Sequence, residues 1–224
     1  MSLKVIFEDN HILAVEKPCN VPTQGDETGD MDLLSMCKEY IKEKYNKPGN
    51  VYCGLVHRLD RPVGGIVVFA KTSKSASRLS ESVRSKDFKK EYLAVVYDKN
   101  NALDDKGYFE DYMIKNEALN KSMVCSKQKS GAKLAKLYYE VIDKYNDLKL
   151  VKIDLQTGRH HQIRVQFSSR GFPLYGDQKY GSGPKGEQIA LWAYRVNFKH
   201  PTKDEVVSLE DKPKSVGVWK NFSF

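Results

Sequence analysis

The chain has 224 residues, 40% of them hydrophobic and 29% charged, with 37 Lys and Arg against 29 Asp and Glu. That length suits one large domain or two small ones with a sizeable core, and the composition is that of an ordinary soluble globular protein. No apolar run reaches the ~18–20 residues of a membrane span, and MSLKVIFEDNHILAVEKP scatters charges through its apolar residues, unlike a signal peptide. The expectation is therefore a cytoplasmic protein.

In chain order, residues 5–18 read as two short strands around a turn at Asp9-Asn10. Pro18 and Pro22 bracket an extended loop ending at Gly25. Asp30-Met31-Asp32 can cap a helix over 32–46, with Leu33, Met36, Cys37, Tyr40 and Ile41 at helical spacing and Pro48-Gly49 as its stop. GIVVFAK (65–71) is a β-branched strand. Thr72 or Ser73 then caps a second helix, with Ala76, Leu79 and Val83 inward and Lys74, Arg78 and Arg84 outward. KEYLAVVY (90–97) is another strand. Residues 98–132 are polar and weakly patterned. KLYYEVIDKY and LKLVKIDLQT flank Asn146-Asp147, a hairpin signal. HQIRVQFSSRG predicts a short helix stopped by Gly171, with Ile163 and Phe167 on one face. Residues 189–198 and 205–210 are strands around a turn at His200-Pro201. Hairpin-linked strands with few helices imply an α+β domain on a largely antiparallel or mixed sheet. With no repeat, low-complexity tract or linker, residues 1–224 read as a single domain.

The charge is unevenly placed. Residues 71–90 hold seven basic residues (Lys71, Lys74, Arg78, Arg84, Lys86, Lys89, Lys90) against Glu81 and Asp87, and 121–136 hold Lys121, Lys127, Lys129, Lys133 and Lys136 with no acid. Two basic segments on a nearly neutral body suit a polyanion partner, or two solvated faces. Cys19, Cys37, Cys53 and Cys125 form no CxxC pair and no zinc-finger spacing, so they read as small free thiols.

Three elements can carry chemistry. His57-Arg58-Leu59-Asp60-Arg61 sets a carboxylate between two arginines, ahead of Gly64 and Gly65, which allow a tight turn. An opposite charge favours the ionised carboxylate, which fits a nucleophile or base and equally a structural ion pair. TGRHHQIR (157–164) crowds Arg159, His160, His161, Gln162 and Arg164 into one short element. His160 and His161 are expected to point apart on a helix, with no carboxylate three or four residues on, so no metal is expected there. Lys90-Glu91-Tyr92 places a tyrosine on a strand, as core or as a ring that stacks on a base. GSGPKG (181–186) follows no apolar strand and is a weak phosphate-loop pattern.

Taken together these pieces resemble one family. HRLDRPVGGIVVFAKT resembles the central signature of the RluA-type pseudouridine synthases, which isomerise uridine in RNA. KPCNVPTQG (17–25), KKEYLAVV, LQTGRHHQIRVQFSSRGFPLYGDQKYG (155–181) and LWAYRVNFKHP are similar to its other segments, in family order. The resemblance implies the pseudouridine synthase fold, a long mixed, mostly antiparallel sheet with flanking helices and a central cleft. It implies no cofactor and no metal. It places Asp60 on the catalytic aspartate, Tyr92 on the tyrosine that packs on the target base, and Arg164 on the basic residue that pairs with the aspartate. It places Arg58 where a flipped nucleotide's gap is filled, and His57, Arg61, Gln162 and Ile163 around the substrate. Positions 63–64 are Val-Gly where many relatives have Thr-Ser, and His160 stands where Thr is usual. The chain starts directly at the catalytic domain, with no N-terminal S4 module, so RNA (ribosomal or transfer) is expected to contact segments 71–90 and 121–136. A monomer without an obligatory protein partner is the expectation. The alternative is an RNA-binding or ribosome-assembly protein on the same fold, without catalysis.

Overall fold

The computed structural model describes residues 3–181 and 186–224. It contains eleven strands and three helices among those residues, the α+β class expected. The chain divides into two compact units: residues 1–89 with 193–212, and residues 90–192 with 213–224.

Unit one begins with β1 (Val5–Glu8) and β2 (Ile12–Lys17). Their turn is closed by Asp9, whose Oδ1 accepts from the backbone N–H of His11 at 2.7 Å and Ile12 at 2.8 Å. Helix α1 (Leu33–Lys44) starts at Asp32, whose carboxylate accepts from Ser35 N–H at 3.1 Å, and it buries Leu33, Cys37 and Ile41 at i, i+4 and i+8. After β3 (Gly54–Leu55) comes β4 (Gly64–Ala70), buried along its whole length. Thr72 rather than Ser73 caps α2 (Ser73–Ser85), which buries Ser75 and Leu79. Most of β10 (Leu191–Lys199) and all of β11 (Val206–Glu210) complete the unit. The strand order is β1-β2-β4-β10, with β3 beside β4 and β11 beside β10. Gly65 has φ +114°, and a Cβ there would lie 2.3 Å from the Ala193 carbonyl oxygen, so both conformation and space require glycine. Ile12, Ala14, Ile66, Val68, Leu79, Phe88, Val196 and Phe198 form the core, with Phe88 and Phe198 stacked 4.7 Å apart. Each such aliphatic side chain, fully buried, contributes about 1.5–3 kcal/mol.

Unit two carries β5 (Lys89–Tyr97), β6 (Lys106–Asn116), β7 (Lys121–Cys125), β8 (Lys133–Tyr145) and β9 (Leu148–Leu155), in the order β5-β9-β8-β6-β7. The pairings of these five strands are antiparallel. The β8–β9 hairpin turns at Asn146, with φ +50°, and Asp147. Helix α3 (Gln162–Ser168) lays Phe167 against Phe109 and Tyr139, with ring centroids 5.0 and 5.4 Å away. Gly171 follows it at φ +84°.

Strands β6 and β7 correct the reading of 98–132 as weakly patterned. In β6 only Phe109 and Met113 are fully buried, and the positions that share their face include Gly107 and Asp111, so no apolar alternation stands out in the sequence. Pairing with β8 decides the conformation there. Residues 182–185 of the GSGPKG segment lie outside the described residues.

Candidate active site

Asp60 sits half-buried in the loop between β3 and β4, and three ties fix the backbone around it. Thr23 brackets Leu59, its hydroxyl donating to the Leu59 carbonyl at 3.0 Å and accepting from the Leu59 N–H at 3.2 Å. The Val63 N–H donates to the Asp60 carbonyl at 2.9 Å, which makes a tight turn. The third tie is Lys17, fully buried at the end of β2. Its Nζ donates to the carbonyls of Pro18 at 2.9 Å, Val21 at 2.6 Å and Arg61 at 2.9 Å. Burial pushes this ammonium down to about 8, opposed by Cys19 and Asp60. It stays protonated at neutral pH, with all three N–H bonds used.

Lys17→Met should therefore loosen both loops. It strands three carbonyls at a cost on the order of 3 kcal/mol. At about 2–4 °C per kcal/mol for a chain of this size, the thermal midpoint should drop by roughly 6–12 °C. Differential scanning calorimetry reads this directly, and a drop under about 2 °C would show that the loops hold without Lys17.

The arginines beside Asp60 differ. Arg58 is exposed and makes no hydrogen bond or ion pair to another described residue. Arg61 donates to Asp30, to Thr28 at 3.0 Å and to Asp26 at 3.4 Å, so it is held by the 26–30 loop. His57 is expected at the substrate, but its ring is buried, and Nε2 accepts from the Val68 N–H at 3.1 Å. The imidazole takes the place of a backbone acceptor where β3 leaves β4.

In unit two, Tyr92 is buried on β5 opposite Ile153 of β9. Arg164, on α3, is buried and grips Asp177 through two parallel hydrogen bonds, Nε to Oδ2 and Nη2 to Oδ1, both 2.8 Å. Asp177 also accepts from the N–H groups of Lys179 at 2.9 Å and Tyr180 at 3.1 Å. That Asx turn, two and three residues ahead, is the one local sign of Asp177 in the sequence. Gln162 is expected at the substrate, yet its amide is fully engaged internally. Oε1 accepts from Thr157 Oγ1 and Arg159 N, and Nε2 donates to Lys136 O and Gln166 Oε1. Ile163 is buried beside it.

The two histidines do not diverge as expected. His161 is the N-cap of α3 at φ +54°, and this left-handed step folds its ring to 3.7 Å from that of His160. His160 Nδ1 lies 2.9 Å from Ser122 Oγ. The Tyr180 hydroxyl accepts from Ser122 N–H and lies within hydrogen-bond reach of His161 Nδ1, both at 2.7 Å. Burial, then the charges of Arg164 and His160, pushes the His161 imidazolium down to about 2. Among the described residues no group of three His, Cys, Asp or Glu could hold a metal ion.

This makes stability depend on pH. The unfolded chain protonates His161 near pH 6.5, the folded chain only near pH 2. Between those values the unfolded state binds more protons, so stability falls as pH drops below 6.5. The ceiling is about 1.4 kcal/mol per pH unit, less solvent screening. Urea unfolding at pH 7 and pH 5.5 should show the loss, and His161→Asn should flatten it. An unchanged slope in that variant would assign the effect elsewhere.

The basic segments are not uniform either. Lys71 is withdrawn from any RNA role: its Nζ pairs with Glu8 at 2.6 Å, the two side chains 8% and 7% exposed. Burial opposes the Glu8 charge, but Lys44, Lys71, Tyr45 and Tyr40 together hold its carboxyl at about 2. Arg78 donates to the Pro201 carbonyl, and Arg84 pairs with Glu81. Lys74, Lys86 and Lys89, and Lys121, Lys127, Lys129 and Lys133 in the second segment, are exposed.

A profile of the family described as RNA pseudouridylate synthase matches residues 11–169. The chain belongs to that family. It is 30% identical to the ribosomal large subunit pseudouridine synthase C of Buchnera aphidicola over 88% of this chain and 63% of that protein. It is 33% identical to an uncharacterized RNA pseudouridine synthase of Aquifex aeolicus, over 97% and 72% of the two chains. It is 31% identical to the ribosomal large subunit pseudouridine synthase D of Neisseria meningitidis, over 94% and 58%. The chain thus spans somewhat under two thirds of the length of the first and third of these relatives. The fold is that of the human RNA pseudouridylate synthase domain containing 4, with a TM-score of 0.78 at 20% identity over 94% and 89% of the two chains. No helix among the described residues is long and apolar enough to cross a membrane.

Proposed function

We propose that this chain isomerises uridine to pseudouridine in ribosomal RNA, with Asp60 acting on the ribose of a flipped nucleotide. The observation that carries the reading is the family match over residues 11–169, which contains a loop held by Thr23, Lys17 and the Asp60–Val63 turn around one carboxylate. Attack at C1′ and removal of the 2′ proton both begin from an ionised carboxylate on a fixed backbone. The target ring must leave its stack first, at a cost of a few kcal/mol that is least in loops and bulges. Arg58, exposed and unpaired among the described residues, fills the gap. Tyr92 packs on the base and helps remove the C5 proton. After the N1–C1′ bond breaks, the free uracil rotates and rejoins through C5 inside a site closed to water.

The reading takes the protein as a cytoplasmic monomer that needs no metal, organic cofactor or protein partner. RNA grip comes from the exposed lysines of 74–89 and 121–133. Ribosomal RNA tritiated at uridine C5 tests it: the protein should release label to water without added metal. No release from either ribosomal or transfer RNA would overturn the assignment.

A further inference from the structure

Lys90 lies near the start of β5, two residues before Tyr92, and the period of a strand sets both side chains on one face, about 7 Å apart. Lys90 is half-buried, and burial lowers its ammonium below the ordinary lysine value. The other deeply placed lysines are answered from within the chain. Lys17 has three carbonyls, Lys71 has Glu8 at 2.6 Å, and Lys149 has Asp98 at 2.6 Å. Lys90 makes no hydrogen bond or ion pair to another described residue. A cation that loses water without gaining an internal anion destabilises the fold. Its place is explained if an anion arrives from outside.

The surroundings fit such a ligand. A Cβ at Gly158 would sit 3.3 Å from Lys90 Nζ. Gly158 is not in a left-handed conformation, so glycine there supplies room rather than backbone freedom. Gly158 and Arg159 are exposed, and Arg159 uses only its Nε, on the Leu134 carbonyl at 2.8 Å. The ammonium therefore opens toward solvent beside a second cation.

We propose that Lys90 binds a backbone phosphate of the RNA, at the target nucleotide or its immediate neighbour, in space kept open by Gly158. The assignment to that nucleotide rests on Tyr92 being the residue that packs on the target base. The contact itself is phosphodiester recognition by a point charge.

The test uses Lys90→Met, which keeps the stem and removes the charge, with Lys90→Arg as the charge-retaining control. The probe is an RNA hairpin with a uridine loop, its binding followed by anisotropy between about 50 and 300 mM KCl. For Lys90→Met the log–log salt slope should shrink by about 0.7, and affinity at low salt should fall roughly 5–10-fold. Lys90→Arg should stay within about twofold. A methylphosphonate walked through the loop should weaken the parent at one position and leave Lys90→Met unaffected there. The thermal midpoint of Lys90→Met should equal or exceed the parent's, since an unanswered charge is removed. An unchanged salt slope overturns the proposal. So does a loss of turnover with a shifted pH profile at unchanged slope, which would give Lys90 a proton-transfer role. The outcome is separable from the activity: should the parent release no tritium, a changed slope still upholds the phosphate contact.

Discussion

Asp60→Asn is expected to abolish tritium release from uridine C5 while leaving RNA affinity within about threefold. Asparagine keeps the size of the side chain, and the ties that shape the loop run through the backbone. Thr23 holds Leu59, Lys17 holds the Arg61 carbonyl, and Val63 N–H holds the Asp60 carbonyl. The loop therefore keeps its form, and what is lost is the anion. A neutral amide neither attacks C1′ nor takes a 2′ proton, so the rate should fall by about 10⁴-fold or more, about 5 kcal/mol of barrier. Single-turnover release on ribosomal RNA measures it, with the thermal midpoint as the check on folding. Release within tenfold of the parent would remove Asp60 from the chemistry. Asp60→Asn with normal binding and no release would also exclude a purely RNA-binding role for the parent's site, since the parent turns over.

Much of the fold is legible because its signals are local. Asp32 and Thr72 cap helices where polar residues precede apolar ones at helical spacing, and Asn146-Asp147 turns a hairpin between two β-branched runs. β6 was not legible, since its two buried side chains, Phe109 and Met113, gain meaning only from β8 and α3. The site divides in the same way. Asp60 between arginines is open to a structural reading on local grounds, and the catalytic reading comes from the resemblance of the ordered motifs around it. Motif membership does not give side-chain direction. His57 serves Val68 N–H, and Gln162 serves Thr157, Arg159, Lys136 and Gln166. The 155–181 segment contains Asp177, but nothing in its spacing shows that this carboxylate meets Arg164, 13 residues before it; the fold makes the pair. Net charge misled for Lys71, whose partner Glu8 is 63 residues away.

Arg164→Met is expected to cause the largest loss of stability. The Arg164–Asp177 pair is buried, at 5% and 1% side-chain exposure. Removing the guanidinium leaves the Asp177 carboxylate with the Lys179 and Tyr180 N–H groups but no counter-charge. Breaking one side of a buried pair typically costs about 3–5 kcal/mol, which at about 2–4 °C per kcal/mol lowers the thermal midpoint by roughly 10 °C. Arg164→Lys should recover only part, because an ammonium cannot meet both carboxylate oxygens with a planar fork. Arg164→Met combined with Asp177→Asn should be more stable than Arg164→Met alone, since the stranded charge is gone. Calorimetry on the three variants decides. A drop under about 2 °C for Arg164→Met would show that Asp177 does not depend on this arginine. A double variant no more stable than the single one would place the cost in lost packing against the Tyr180 ring, 5.2 Å from the guanidinium carbon, rather than in an unpaired charge. The same arginine that the family resemblance assigns to catalysis would then owe its place on α3 to a carboxylate 13 residues on in the same 155–181 segment. Its distance from the chemistry could be measured as turnover lost per degree of midpoint lost, against Lys17→Met as a variant that loosens the fold from the other unit.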